Sequence, residues 1–181
     1  MRSLFAPAAL VLTTLATTAA LAAGPVVTPI KAEKGKTVTV AGKLESGAPL
    51  ANLDWAWKSS MACFPATQQQ YYSGNHVFFT AELPTRSEMY ITVVPKDPNV
   101  NMSGYAYAIA AGKQILPPEI ASCVSCEAEQ KWDRPKRGKT QDHTRVLPRV
   151  TAIQNPYTVI IGVTSPKEIT AGDFELKVEI K

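Results

Sequence analysis

Alternation of polar and apolar residues marks several strands along this chain of 181 residues. The clearest case is 173–180, DFELKVEI, in which Phe174, Leu176, Val178 and Ile180 share one face and the charged residues share the other. This period of two predicts a half-buried strand. Segments that alternate, or that are rich in β-branched and aromatic residues, lie at 36–44, 76–83, 89–94 and 105–109. Residues 157–163 are apolar almost without interruption, as expected of a central strand.

Proline and glycine clusters separate the predicted strands. They lie at 45–49, 72–75, 96–99 and 165–167, where they set turns and end strands. No segment carries an apolar stripe at helical spacing for three turns. Many short strands with regular turns and no long helical pattern predict an all-β fold, an antiparallel β-sandwich.

Three stretches do not follow the strand pattern. Residues 24–32 are predicted to be a loose lead-in. Residues 52–72 carry Trp55 and Trp57, which would share a face on a strand, and that face is predicted to belong to the core. Residues 115–149 are predicted to be one long cysteine-containing loop, far above the usual length of a connection. A loop of that length is functional, disordered or tied down, and its cysteines favour the third.

The first residues have the features of a secretory signal peptide. Arg2 supplies the positive charge, 8–21 is an apolar stretch rich in alanine and leucine, and small residues at 20–23 offer a cleavage site. Cleavage after Ala23 would leave 24–181 as a single domain, periplasmic or secreted. No later apolar stretch is long enough to cross a bilayer, which predicts a soluble mature protein. The net charge of +4 is too small to predict a nucleic-acid partner.

The strand sequences resemble those of bacterial pre-peptidase C-terminal domains. The resemblance rests on 76–84 (HVFFTAELP), 88–94 (EMYITVV), 105–108 (YAYA) and the closing segments 155–163 and 171–178. It implies a jelly-roll-like sandwich that is a non-catalytic appendage of secreted enzymes, with some members binding collagen, polysaccharide or calcium. The family commonly places aspartates before the tyrosine strand, but this chain has NMSGY at 101–105. Calcium binding is therefore not expected by analogy.

The three cysteines, Cys63, Cys123 and Cys126, are candidates for one disulfide. A bond from Cys63 to either of the others would close a loop of roughly sixty residues, worth about 4 kcal/mol in the chain-entropy model. Both pairings remain open, and each leaves one thiol. A redox C-x-x-C pair at 123–126 is disfavoured, because Glu127 and Glu129 would raise the thiol pKa and no βαβ pattern surrounds it. Glu127 also stands where a covalent haem motif requires histidine.

Metal binding is the leading alternative to a structural disulfide. Cys63, Cys123, Cys126 and His143 would make a Cys3His set suited to zinc. Copper is a smaller possibility, through Met61, Cys63 and His76, although these residues are not closely spaced on one late loop. The favoured expectation is that the protein needs no cofactor.

No catalytic motif stands out in the sequence. His76 leads a strand and is predicted to be an ordinary edge residue rather than a general base. No nucleophile elbow, phosphate loop or zinc-protease motif occurs. The chain is therefore not expected to be an enzyme.

Positive charge concentrates at 131–149, where seven bases outnumber two acids. A binding surface is predicted there, carried by Trp132, Arg134, Lys136, Arg137 and Lys139. It would engage a protein or an anionic polysaccharide, with the tryptophan stacking on a sugar or a partner side chain. The competing interpretation is a loop that its charge keeps in water. The predicted function is an exported non-catalytic binding or assembly module, and the alternative is a periplasmic zinc- or copper-binding protein.

Overall fold

The computed structural model describes residues 25–131 and 143–181, and these residues form two β-sheets. The six-stranded sheet contains β1 (Val27–Ile30), β3 (Ala48–Pro49), β4 (Asn75–Leu83), β6 (Ser103–Ala110), β7 (Ser125–Glu129) and β10 (Tyr157–Thr164). The five-stranded sheet contains β2 (Thr37–Lys43), β5 (Ser87–Pro95), β8 (Arg145–Val146), β9 (Val150–Ala152) and β11 (Asp173–Ile180). Short 3₁₀ helices span Leu44–Ser46, Asp54–Trp57, Phe64–Ala66 and Gln69–Tyr71.

Strand order in both sheets is that of an antiparallel sandwich. The six-stranded sheet runs β1-β4-β10-β6-β7, and β3 also pairs with β4. The five-stranded sheet runs β2-β11-β5, with β8 and β9 both pairing with β5. All of these pairs are antiparallel except β1 with β4. The predicted all-β sandwich is confirmed.

The main core lies between the two sheets. The register sets Ile161 beside Phe79 in one sheet and Leu176 beside Val93 in the other, and all four side chains are buried. Phe79 meets Phe174 across the core, with ring centroids 6.0 Å apart. Burial of each such side chain contributes about 1.5–3 kcal/mol relative to exposure, so this layer accounts for the alternating strands.

Two segments predicted to be irregular contain short strands. The loose lead-in at 24–32 contains β1, an edge strand whose Pro29 is tolerated because an edge need not donate every backbone N–H. The long loop at 115–149 contains β7 and β8. Their sequences carry only a weak apolar signal, since β7 alternates just Cys126 and Ala128 with polar residues and β8 has two residues. Backbone pairing with β6 and β5 holds them in place, and a search for apolar patterns does not detect backbone pairing.

The predicted signal peptide, residues 1–23, lies outside the described residues. Within the described ranges no helix has the length and apolar character needed to span a membrane.

Candidate functional site: the cap over the six-stranded sheet

The outer face of the six-stranded sheet is covered by irregular chain, which we call the cap. The cap consists of residues 50–72 and 113–124. Beneath it the sheet buries large outward-pointing side chains: Phe78, Tyr105, Tyr107, Ile109 and Ile160. The cap adds Leu53, Trp55, Met61, Tyr72 and Ile120 to the same cluster. The protein therefore has a second core, outside the sandwich.

Aromatic rings fill most of this second core. The sequence of β6 places Tyr105 and Tyr107 on the cap side and small residues on the inner side. Tyr105 lies flat against Gly162 of β10, where any side chain at position 162 would collide with its ring. Trp55 packs on both tyrosines, with centroids 5.5 Å from Tyr105 and 6.1 Å from Tyr107. The Tyr107 hydroxyl donates to the Ile115 carbonyl at 2.8 Å and so fixes the second cap segment.

A disulfide between Cys63 and Cys126 ties the cap to the sheet. Their Cα atoms are 5.5 Å apart and the residues are separated by 63 positions. Of the two pairings left open by the sequence, the structure contains this one and leaves Cys123 as a thiol. Two hydrogen bonds join the cap segments to each other: the Ser60 hydroxyl to the Ala121 carbonyl at 2.9 Å, and the Cys123 N–H to the Ser60 carbonyl at 3.3 Å.

The predicted zinc ligands are not brought together. Cys63 and Cys126 are bonded to each other, and neither is a thiolate while that bond is present. Burial raises the pKa of the Cys123 thiol to about 11, which makes it a poor nucleophile and a poor ligand at neutral pH. His143 accepts a hydrogen bond at Nδ1 from Arg145, at 3.0 Å. Within 25–131 and 143–181, no group of three or more His, Cys, Asp or Glu side chains has a metal-binding arrangement.

His76 is a buried residue, not the predicted edge residue. Its Nε2 lies 2.8 Å from the Tyr72 carbonyl, which accepts only, so Nε2 carries the proton. Its Nδ1 then accepts from the Tyr105 hydroxyl, also at 2.8 Å. Burial lowers the pKa of His76 to about 4, so the ring is neutral at physiological pH. With both nitrogens occupied and Cys63 in the disulfide, the Met61, Cys63 and His76 set is not arranged for copper.

Trp55 and Trp57 do not share a face, contrary to the prediction. Residues Asp54–Trp57 form a 3₁₀ helix, in which positions two apart point about 120° away from each other. Trp55 is 1% exposed, whereas Trp57 is 60% exposed. Trp57 and Phe64, which is 47% exposed, line a pocket of about 350 Å³. The rest of its wall is mostly small and apolar: Ala56, Ala62, Cys63, Ala66 and Thr67.

The amino-acid sequence does not reveal this aromatic pocket. The segment at 54–57, DWAW, signals aromatic content but not which tryptophan points outward. That depends on a 3₁₀ turn which apolar periodicity does not reveal. Phe64 is placed by its neighbour Cys63, whose disulfide partner was undecided in the sequence.

The basic segment at 131–149 is described only at its two ends. Trp132, Arg134, Lys136, Arg137 and Lys139 lie outside the described residues. Two flanking bases have partners in the structure, and of these Arg145 is buried whereas the Arg149 side chain is 61% exposed. Arg145 is buried and donates to the Met102 carbonyl at 2.7 Å and to Asn101 at 3.0 Å. Arg149 pairs with Glu88 at 3.4 Å.

No protein-family model and no curated protein sequence matches the chain. Among solved structures, it is similar to the periplasmic inhibitor of g-type lysozyme PliG from Aeromonas hydrophila (TM-score 0.43, 11% identity, 86% of this chain and 97% of that one). It is similar to the copper-binding surface protein CorA of Methylomicrobium album BG8 (0.44, 8%, 87% and 99%). It is also similar to the pre-peptidase C-terminal domain of Bacillus anthracis collagenase (0.39, 9%, 87% and 96%), a member of the family that the strand sequences resemble. Similarities of this size assign no ligand, partner or residue role to this chain.

Proposed function

We propose that the chain is an exported, non-catalytic binding module that engages a protein partner through the aromatic pocket of its cap. The observation that carries the proposal is the position of Trp57 and Phe64. The two side chains are 60% and 47% exposed, both line one pocket, and Phe64 directly follows the disulfide-bonded Cys63. Singly exposed apolar residues are ordinary, but a pair that shares a pocket is typical of an interface.

Rigidity of the pocket favours binding. The Ala66 and Thr67 N–H groups donate to the Cys63 and Phe64 carbonyls at 3.1 and 3.0 Å, which holds the turn that carries Phe64. The disulfide fixes the same turn to β7. A partner that docks here pays little conformational entropy to order the surface, which supports affinity.

The walls of the pocket favour a protein partner over a polysaccharide. Apart from the indole N–H of Trp57, the polar side-chain group among the described lining residues is the Thr67 hydroxyl, which already donates to the Phe64 carbonyl at 3.3 Å. Sugar hydroxyls that are buried against such walls would lose water and gain few hydrogen bonds. An apolar side chain of a protein loses nothing of that kind. The anionic polysaccharide predicted for the basic segment at 131–149 is kept as the competing outcome of the test.

Two observations support export and the absence of catalysis in this proposal. A structural disulfide persists in oxidising compartments, in agreement with the predicted signal peptide at 1–23. His76, the histidine under the cap, has both ring nitrogens engaged within the fold. The proposed module acts by binding, needs no cofactor, and functions in the periplasm or outside the cell.

Site-specific photocrosslinking tests the proposal. A photoreactive phenylalanine analogue replaces Phe64, or Ile153 as a matched control, in the full chain exported by its own cells. Ile153 is 72% exposed but lies away from the cap. We expect a discrete protein adduct from position 64 and none from 153. The adduct from position 64 should fall at least tenfold when Trp57→Ala is added, as for an interface hot spot.

Two results would contradict this function. Equal adduct patterns from positions 64 and 153 would show that the pocket has no partner of its own. The second result is retention of the protein on an anionic polysaccharide gel. If the double variant Lys136→Glu/Arg137→Glu loses this retention and Trp57→Ala/Phe64→Ala keeps it, the binding surface lies in the basic segment.

A further inference from the structure

Buried polar atoms without hydrogen-bond partners gather at one end of the six-stranded sheet. Six such atoms occur among the described residues. Four of them are the side-chain amide nitrogen and oxygen of Gln130 and the hydroxyl oxygens of Ser103 and Thr164. A fifth is the hydroxyl of Tyr72. Buried polar groups normally have partners, because desolvation without a hydrogen bond costs free energy. A cluster of exceptions therefore calls for a specific explanation.

Strand register places these residues in one line. Ser103 of β6 pairs with Thr164 of β10. One position beyond the β6–β7 ladder, Gln130 adjoins Ser103, since Gly104 pairs with Glu129. One position beyond the β4–β10 ladder, His76 adjoins Thr164, since Val77 pairs with Val163. Neighbouring strands are about 4.8 Å apart, so the four form a continuous polar row.

The polar row faces the cap. Ser103 lies on the same face of β6 as Tyr105 and Tyr107, and His76 lies on the same face of β4 as Phe78. Tyr105, Tyr107 and Phe78 all belong to the second core. Tyr72 lies above the row, with its ring 6.2 Å from that of Tyr105. Burial raises the pKa of Tyr72, as expected of a hydroxyl enclosed beneath the cap.

An open pocket adjoins the His76 end of the row. It has a volume of about 490 Å³, and His76 and Tyr72 line its inner wall. Its rim is polar, with Asn52, Asp54, Gln69 and Lys167. The Gly74 N–H donates to the Ser165 carbonyl at 2.8 Å, so the chain before His76 and the chain after Thr164 are joined at the pocket. The size is within the range of small-molecule sites.

The chemistry of the row and the pocket indicates an uncharged ligand. Hydroxyl groups and a primary amide both donate and accept, and His76 is neutral with its nitrogens engaged. The rim offers one carboxylate, Asp54, and one ammonium, Lys167, and so has no net charge. The polar row beneath the rim carries no charge, so an ion that entered it would lose its hydration without a counter-charge, whereas the donors and acceptors of the row match a molecule with several hydroxyl groups.

We propose that the pocket and the polar row form a binding site for a small neutral polyhydroxylated compound of monosaccharide size. The ligand enters at the rim and reaches Thr164 and Ser103 when the Tyr72 side chain moves aside. That movement breaks no hydrogen bond of the Tyr72 hydroxyl among the described residues. The site is separate from the aromatic pocket of Trp57 and Phe64, so either can fail without the other.

NMR titration of the ¹⁵N-labelled chain tests the site directly. The probes are D-glucose and N-acetyl-D-glucosamine, with phosphate and glycine as charged controls. We expect at least one sugar to give saturable shifts of the Gln130 side-chain amide and of the backbone amides at 73–76 and 164–167. The expected dissociation constant is on the order of 1 mM or tighter. Saturation of the same signals by phosphate or glycine instead, or by no probe, would overturn the proposal.

Variants separate binding from stability. Thr164→Val and Ser103→Ala remove hydroxyls that have no partner in the described structure, so each should leave the melting temperature unchanged or raised. Each should weaken sugar binding about tenfold, the effect of one lost hydrogen bond. Thr158→Val is the matched control on the same strand and face. The Thr158 hydroxyl donates to Glu82 at 2.7 Å and accepts from the Gly112 N–H at 2.9 Å, so its loss should lower the melting temperature and leave sugar affinity unchanged. Unchanged affinity in both row variants would overturn the proposal.

Discussion

The two sheets of this protein share one core but differ in their outer faces. In the six-stranded sheet, β10 is buried at every position from 158 to 164. In the five-stranded sheet, β11 alternates between fully buried and half-buried residues along its whole length. The difference is already present in the sequence, where one strand is an unbroken apolar run and the other alternates. An unbroken run therefore marks a strand covered on both faces.

Chemical features follow the same division. The cap side of the six-stranded sheet holds the disulfide, the neutral His76, the polar row and the aromatic pocket. The outer face of β11 carries exposed ion pairs, Lys177 with Glu175 at 3.8 Å and Lys181 with Glu179 at 3.4 Å. Exposed pairs contribute little free energy and are ordinary surface. Both proposed binding sites therefore lie on the capped face.

The largest test of this comparison uses two adjacent phenylalanines of β4. Phe79 points into the sandwich core and Phe78 into the second core, and they are 2% and 1% exposed. If the cap packs as well as the opposite sheet does, Phe78→Ala and Phe79→Ala should each lower the free energy of unfolding by about 3–5 kcal/mol. Urea denaturation measures both. As a control, Thr39→Ala on the exposed face of β2 should change it by less than about 0.5 kcal/mol.

A loss below about 1 kcal/mol for Phe78→Ala, beside a full loss for Phe79→Ala, would contradict the second core. It would mean that the cap separates from the sheet without disturbing the sandwich.

Removal of the disulfide should reduce the free energy of unfolding somewhat less than the loss of a core phenylalanine. Cys63→Ser should lower the free energy of unfolding by about 2–4 kcal/mol, because the bond closes a long loop in the unfolded chain. Hydrogen exchange should show the loss of protection first at the cap, in 50–72, and last in β11. Cys123→Ser is the matched control and should preserve both stability and the bond. If Cys123→Ser proved as damaging as Cys63→Ser, the pairing of Cys63 with Cys126 would be wrong.

The strands of the sandwich were predictable because burial on one face requires alternating apolar residues and burial on both faces requires a continuous apolar run. Residues 173–180 and 157–163 match β11 and β10 almost to the residue. The sequences of β7 and β8 show no comparably clear apolar pattern. β7 pairs through its backbone with Tyr105 and its neighbours in β6. Backbone hydrogen bonds are available to any residue except proline, so composition does not reveal them.

The cap was predictable in outline but not in geometry. Excess length and cysteines correctly indicated a tied segment at 115–149. The choice between Cys123 and Cys126 depended on β7, which had not been recognised as a strand. The burial of His76 likewise depends on Tyr72, which belongs to the cap, and on Tyr105, which lies two strands away in the same sheet.

Acid should act on the capped face through His76. Burial lowers its pKa in the folded protein to about 4, below the ordinary value of 6.5. The neutral ring therefore stabilises the fold fully above pH 6.5, and this contribution is lost as the pH falls towards 4. A gap of that size corresponds to about 3 kcal/mol, partly offset because burial raises the pKa values of Glu127 and Glu129 and makes their protonation favourable.

The variant His76→Gln isolates this contribution. Glutamine can still donate to the Tyr72 carbonyl but does not titrate. The difference in unfolding free energy between the wild type and the variant should shrink by about 2 kcal/mol between pH 7 and pH 4.5, as measured by urea titrations at both values. A difference that stays constant with pH would show that His76 accepts a proton inside the fold at no cost.

The smallest change in stability is expected from an ion pair on the outer face of the five-stranded sheet. Lys177 and Glu175 are each 43% exposed in their side chains, so water and salt screen their attraction. Lys177→Gln should change the free energy of unfolding by less than about 0.5 kcal/mol, and 0.5 M sodium chloride should leave the wild type and the variant equally stable. The measurement is a pair of urea curves at low and high salt. A decrease in unfolding free energy above about 1 kcal/mol that salt abolishes would show that charges on this face stabilise the fold as buried groups do. The contrast between the capped face, which carries the proposed sites, and an ordinary solvent-exposed face would then no longer hold.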